Sequence, residues 1–193
     1  MDETKLRAIV GESLDLKRGF FEKEVGRLLE AGRLMAGALR TGRKLLAFGN
    51  GGSAADAQHF AGELVNRFAF DRPALPAIAL TTDGSVLTSI GNDSDFRQVF
   101  RRQVEALGSP GDVALAISTS GNSENVLEAV EACRERGLRT VGLTGRDGGT
   151  LIARVELCLN VPHPETPRIQ EVHAMIIHLL CQMIEEDLFS KNR

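Results

Sequence analysis

Neither tryptophan nor tyrosine occurs in the 193 residues, so absorbance at 280 nm will not report this protein's concentration. Cysteine is scarce as well: Cys133, Cys158 and Cys181 stand more than twenty residues apart and form no CxxC pair. That excludes a disulfide framework and a zinc knuckle, and it fits reduced thiols in a cytosolic protein. No apolar run approaches the roughly 18 residues a membrane span requires. The richest stretch, 174–184, is broken by His178 and Gln182. The opening Met1-Asp2-Glu3-Thr4 is acidic and carries no apolar signal region, so the expected location is the cytoplasm. No sign of charge dominates either: 23 basic against 26 acidic side chains leave a net charge of −3. That balance argues against a nucleic-acid surface spread over the whole domain. No Gly-Lys-Ser or Gly-Lys-Thr occurs, which excludes a Walker A loop.

What is present is an ordinary globular composition, 42% apolar and 25% charged, with twenty glycines as its one excess. The length suits one domain, able to bury about 70% of its unfolded surface without disulfides or a structural metal. Residues 3–40 carry apolar positions at helical spacing (Leu6, Ile9, Val10, Leu14, Phe20, Phe21, Val25, Leu28). Glycines at 11, 19, 26, 32 and 37 predict two helical segments there, since each costs up to about 1 kcal/mol relative to alanine. From residue 44 the texture changes to short apolar runs: Lys44–Phe48, Pro76–Leu80, Val113–Ile117, Thr140–Leu143 and Val155–Val161. Helical patterns fall near 53–67, 85–106 (broken at Gly91), 123–136 and Ile169–Phe189, with a short turn near 149–153. Runs without alternation are strands buried on both faces, and strands alternating with helices build a parallel sheet. The expectation is a single α/β domain over 1–193, a helical segment at 1–40 preceding an α/β core at 41–193.

Ligands of open α/β sheets bind beyond the carboxyl ends of the strands. Two loops there stand out. The first, Phe48-Gly49-Asn50-Gly51-Gly52-Ser53-Ala54-Ala55-Asp56, turns from a strand into a helix that Ser53 can cap. The second, Ser118-Thr119-Ser120-Gly121-Asn122-Ser123-Glu124, offers four hydroxyls and a helix N-terminus, enough to wrap phosphate oxygens without lysine. Each loop alone also reads as a glycine-rich turn. The first formally matches GxGxxA, but no acidic residue ends the second strand at the distance a dinucleotide site needs. His59 and Glu63 lie one turn apart on a helix, as a metal chelate, an acid/base pair or a surface ion pair. His178 stands among Ile177, Leu179 and Leu180 as a core or a functional histidine, and spacing makes Glu171 its same-face partner, with Gln170 about 80° around. His163 and His173 carry no second clue and are read as solvated or structural. Thr144-Gly145-Arg146-Asp147-Gly148-Gly149 is most simply a turn, as is Gly91-Asn92-Asp93, whose side chains reach sugar hydroxyls if that loop faces the pocket.

Taken together, Gly49-Asn50-Gly51-Gly52-Ser53, Asp56-Ala57-Gln58-His59-Phe60-Ala61-Gly62-Glu63-Leu64, Ser118-Thr119-Ser120-Gly121-Asn122-Ser123, Thr144-Gly145-Arg146-Asp147-Gly148-Gly149 and Arg168-Ile169-Gln170-Glu171-Val172-His173 resemble the phosphoheptose isomerases. These belong to the sugar-isomerase (SIS) fold family, and the similarity runs from about Lys44 to Ile184. The resemblance implies a three-layer, flavodoxin-like fold with a five-stranded parallel sheet and N-terminal helices, assembled as a homotetramer with active sites between subunits. It implies conversion of sedoheptulose 7-phosphate to D-glycero-D-manno-heptose 7-phosphate, the first step toward the ADP-heptose of the lipopolysaccharide core. Carried over by position, Asn50, Gly51, Gly52, Ser53, Arg67, Asn92, Asp93, Ser118, Thr119, Ser120, Ser123 and Gln170 would hold substrate, the serine loop taking the phosphate. Glu63 would be the base and His178 the acid. His59, Glu63, Gln170 and His178 would bind one zinc per subunit, a choice of Gln170 over the Glu171 that spacing prefers. Pro167 departs from an acidic residue found in some isomerases and receives no role. A non-enzymatic relative of the same fold, an adaptor of the replication initiator DnaA, is the alternative; it lacks the carboxylate and histidine found here at Glu63 and His178. Neither nucleic acid nor membrane is an expected partner.

Overall fold

Five short strands make the frame, all but the edge strand at Ala77–Ala79 largely buried on both faces, and the period of two along each strand divides their side chains between two cores. The structure is a computed structural model and describes residues 1–190; the last three positions of the expected domain lie outside the described residues. Strands β1 (Leu45–Gly49), β2 (Ala77–Ala79), β3 (Val113–Ser118), β4 (Arg139–Gly145) and β5 (Leu157–Val161) pair in the order β2-β1-β3-β4-β5, every pair parallel. That is the flavodoxin-type order, with its switch point between β1 and β3. Leu45, Ala47, Leu115 and Ile117 face one core with helices α1 (Glu3–Arg40), α2 (Gly52–Val65) and α6 (Thr166–Phe189). Leu46, Phe48, Ala114 and Ala116 face the other, with α4 (Arg101–Leu107) and α5 (Glu124–Glu135). Phe48 stacks there on Phe100, ring centroids 5.6 Å apart.

The structure corrects several expected boundaries. α1 is one continuous helix of 38 residues, N-capped by Asp2 accepting from the Lys5 amide, not two segments. Phe20, Leu28, Ala31 and Met35 are buried in the α1–α2–α6 core, and that packing outweighs the glycine propensities. Between β2 and β3 the chain runs through α3 (Gly84–Asp93), a 3-10 turn (Phe96–Gln98) and α4. The break falls at Ser94-Asp95 and not at Gly91, because the Asp95 carboxylate accepts from the Arg97 amide and starts a new turn. α6 begins at Thr166, earlier than the apolar pattern, since Pro167 is tolerated in a first helical turn. A second 3-10 turn occupies Leu151–Ala153. No helix among the described residues is long and apolar enough to cross a membrane.

Candidate active site

Gly49 of β1 and Ile117 of β3 are register partners, so the two glycine–serine loops leave neighbouring strands side by side. Their junction is a reciprocal amide pair: Asn50 Nδ2 donates to Asn125 Oδ1 and Asn125 Nδ2 to Asn50 Oδ1, each at 2.8 Å. Ser118 Oγ lies 2.9 Å from Ser123 Oγ and 3.4 Å from Ser120 Oγ, so three hydroxyls converge at the start of α5. Ser123 is the N-cap of α5 yet makes no capping bond; its hydroxyl is turned toward Ser118. The first-turn amides of α5 and the positive end of its dipole are thereby left to an incoming anion. The loop after β4 braces this cradle. Thr150 donates from its amide and its hydroxyl to Asn122 Oδ1, each at 2.9 Å, and the Leu151 amide donates to the Gly121 carbonyl at 2.9 Å. Gly121 has φ +66°, and a Cβ there would overlap the Gly148 carbonyl, so glycine is required twice over. Thr119 sits half-buried in the same loop.

Ser53 does not cap α2. The N-cap is Gly51, and Ser53 is buried in the first turn, packed beneath Gly49. Gly52 is the point where α2 meets α6: a Cβ on it would overlap the Gln170 amide. Farther along the same pair of helices a second cluster forms. His59 Nε2 lies 3.2 Å from Glu63 Oε1 and 3.3 Å from His178 Nε2, joining residues 119 positions apart. The His59 and His178 rings meet edge to face at 4.9 Å, and the Phe68 ring lies 5.6 Å from that of His178. His59, Glu63 and His178 are thus gathered, while Gln170 lies toward the first loop. Glu171, the partner that spacing selects for His178, turns to α1 instead and accepts from Ser13 Oγ at 2.5 Å and from Arg168. Asp56 stands one turn before His59. Burial pushes its carboxyl up to about 6 against a smaller opposing pull from His59, and Oδ2 has no hydrogen-bond partner among the described residues.

Arg67, Asn92 and Asp93 are exposed. Arg67 forms an exposed ion pair with Asp71 at 3.5 Å, and Asn92 Nδ2 donates to Asp93 Oδ1 at 2.7 Å. His173 is structural: fully buried, it meets the Thr144 carbonyl through Nε2 at 2.9 Å, and burial lowers it to about 4. His163 pairs with Glu12 at 3.3 Å.

Two imidazole nitrogens and a carboxylate oxygen suit a borderline-soft dication. Their two spacings sit near the edge of a tetrahedron with metal–ligand bonds of about 2.0–2.1 Å, an edge of about 3.3 Å. Among the described residues no group of three or more His, Cys, Asp and Glu forms a ready-made metal cage. The fit is therefore one of donor chemistry at His59, Glu63 and His178.

Sequence reasoning missed the residues that hold the site together. Asn125, Asn122 and Thr150 carry no motif of their own. Arg72 and Glu185 did leave a signal, a glutamate directly after Ile184 at the end of the apolar stretch and an arginine ahead of Pro73, but no partner could be chosen for either.

A family model described as SIS domain matches residues 10–145. The chain is 59% identical over 169 residues to a phosphoheptose isomerase of Geobacter sulfurreducens, covering 87% of this chain and 89% of that one. A solved phosphoheptose isomerase from Neisseria gonorrhoeae superposes with TM-score 0.90 at 48% identity, over 95% of this chain and 98% of that one. Another from Francisella tularensis gives TM-score 0.92 at 38% identity, over 96% and 100%.

Proposed function

The chain belongs to the SIS domain family and, within it, to the phosphoheptose isomerases, and from that membership we propose that Glu63 and His178 are the base and acid of its reaction. The activity is an aldose–ketose isomerisation, sedoheptulose 7-phosphate to the aldoheptose 7-phosphate that feeds the heptose of the lipopolysaccharide core. The phosphate lies on Ser118, Thr119, Ser120 and Ser123 at the N-terminus of α5. Glu63 takes the proton from C1, next to the ketose carbonyl, and the electron pair left behind forms the C1–C2 double bond of an enediol. His178 gives a proton to O2 as that bond forms, then takes the O1 proton as the aldehyde appears. Glu63 returns its proton to C2. A carboxylate and an imidazole acting as positioned proton carriers each contribute about 10²–10⁴-fold. Asn50 and Asn125 fix the phosphate end, and Arg67, Asn92 and Asp93 supply polar groups to the sugar. His59, Glu63 and His178, joined by Gln170, would hold zinc, which supplies Lewis-acid polarisation of the carbonyl when bound.

The observation that carries the catalytic reading is His59 standing within 3.3 Å of both Glu63 and His178, which brings two separate helices' proton carriers to one point. A homotetramer with composite sites is part of the proposal. Leu6, Val10 and Leu14 form an exposed apolar stripe on α1, 53%, 51% and 56% accessible, and α3 has no buried residue, both suited to cover by further copies. Turnover of sedoheptulose 7-phosphate by Glu63→Gln and His178→Gln tests the assignment: both variants are expected to lose about 10²–10⁴-fold in kcat, and near-normal turnover in either would remove its role.

A further inference from the structure

A buried ion pair is a weak device for stability, because desolvating two charges costs about as much as their attraction returns. One such pair is nevertheless built into this fold next to the acid/base cluster. The side chains of Arg72 and Glu185 are each 1% accessible, with Arg72 Nε 3.0 Å from Glu185 Oε1. Glu185 sits on α6 seven residues after His178, two turns on and on the same face. Its carboxylate also accepts the Phe68 amide at 3.0 Å and the Ala69 amide at 2.8 Å. Burial pushes this carboxyl up, and those two amides together with Arg72 outweigh it, leaving Glu185 below the ordinary glutamate range.

The guanidinium is used on every side. Nη2 donates to the Glu63 carbonyl at 2.8 Å, and Nη1 to the Leu64 carbonyl at 2.6 Å and the Pro73 carbonyl at 3.0 Å. The carbonyls at 63 and 64 belong to the last turn of α2, which has no intrahelical donors for them. A planar fork fits that cluster of acceptors, and a point-charge ammonium would not. The pair therefore grips two backbone segments at once. Arg72 holds the turn that carries Glu63, and Glu185 holds the amide of Phe68, whose ring rests against His178.

We propose that Arg72 and Glu185 form a positioning clamp for the acid/base pair, fixing Glu63 through the end of α2 and His178 through Phe68. Neither residue touches substrate in this account. The inference rests on the reading of Glu63 and His178 as the proton carriers. A loosened clamp displaces both carriers while leaving the serine cradle untouched, so the loss falls on kcat and not on KM.

The test is steady-state isomerase kinetics on the purified oligomer for Arg72→Lys, Glu185→Gln and Phe68→Leu, with Glu63→Gln and His178→Gln alongside. Arg72→Lys keeps the charge and loses the fork; Phe68→Leu keeps the ion pair and removes the ring from His178. Expected is a fall in kcat of about 10–100-fold in each clamp variant, the scale of an ångström-sized misplacement, with KM within about twofold. Wild-type kcat in folded Arg72→Lys and Glu185→Gln, or a raised KM with unchanged kcat, would overturn the clamp. Should those two fail to fold, Phe68→Leu decides alone, and wild-type kcat in it overturns the proposal. Near-normal kcat in Glu63→Gln or His178→Gln would instead overturn the underlying acid/base reading, so the two failures are told apart.

Discussion

His59 stands between Glu63 and His178, 3.2 Å from the first and 3.3 Å from the second, and the proposed acid and base roles rest on that geometry. Removing the carboxylate in Glu63→Gln or the imidazole in His178→Gln should lower kcat by about 10²–10⁴-fold, read by product formation with far-UV circular dichroism unchanged. His173 makes a different prediction, on stability. Burial lowers its folded value to about 4 from an ordinary 6.5, so the unfolded chain binds the proton more readily. Stability is then complete above pH 6.5 and is lost as pH falls toward 4, by up to about 3 kcal/mol. Urea midpoints at pH 7 and 4.5 should show a smaller pH difference in His173→Gln than in wild type, and equal differences would refute the assignment. The thiols should be inert: burial pushes Cys133 up to about 12 and raises Cys181 as well, so an aromatic disulfide reagent at pH 8 should label them only after denaturation. At this scale the sequence shows residue types at helical spacing but not what stands opposite. The i, i+4 pair of His59 and Glu63 was readable. The partner of His178 was not, because seven-residue spacing picks Glu171, which packs toward α1 and Ser13.

α1 shows how far an element can depart from its own propensities. Five glycines predict a break, yet the helix runs unbroken from Glu3 to Arg40, because its inner face packs on α6 throughout the second half. Its first half is less covered, with Leu6, Val10 and Leu14 exposed four residues apart. If that stripe is a subunit contact, Leu14→Arg should shift the mass measured by light scattering on a sizing column toward smaller species. An unchanged mass would place any such contact elsewhere. The strands were legible because parallel strands buried on both faces leave uninterrupted apolar runs. Their ends were legible only to within a few residues: β4 continues through Thr144 and Gly145, which the apolar pattern omits, since Thr144 is buried by a hydrogen bond to Asn160 Oδ1 at 2.9 Å. The cap of α2 was misplaced for a related reason. Ser53 has the chemistry of a cap, but the tight turn at Gly51 puts it inside the helix, where it packs.

Over the whole molecule, the order β2-β1-β3-β4-β5 brings the two glycine–serine loops together at the switch point, and α2 and α6 bring the three titratable groups together some distance away. Pattern and loop chemistry carried the sheet and the pairing of the two glycine–serine loops at its edge. The gathering of His59, Glu63 and His178 from two helices needed three dimensions, and the pairing of Arg72 with Glu185 needed side-chain contacts. The most direct test is purified protein mixed with sedoheptulose 7-phosphate and followed by proton NMR, with and without added zinc. The expected product is an aldoheptose 7-phosphate, formed faster when added zinc is held by His59, Glu63 and His178. Sedoheptulose 7-phosphate left untouched in both conditions by the folded protein would contradict that assignment.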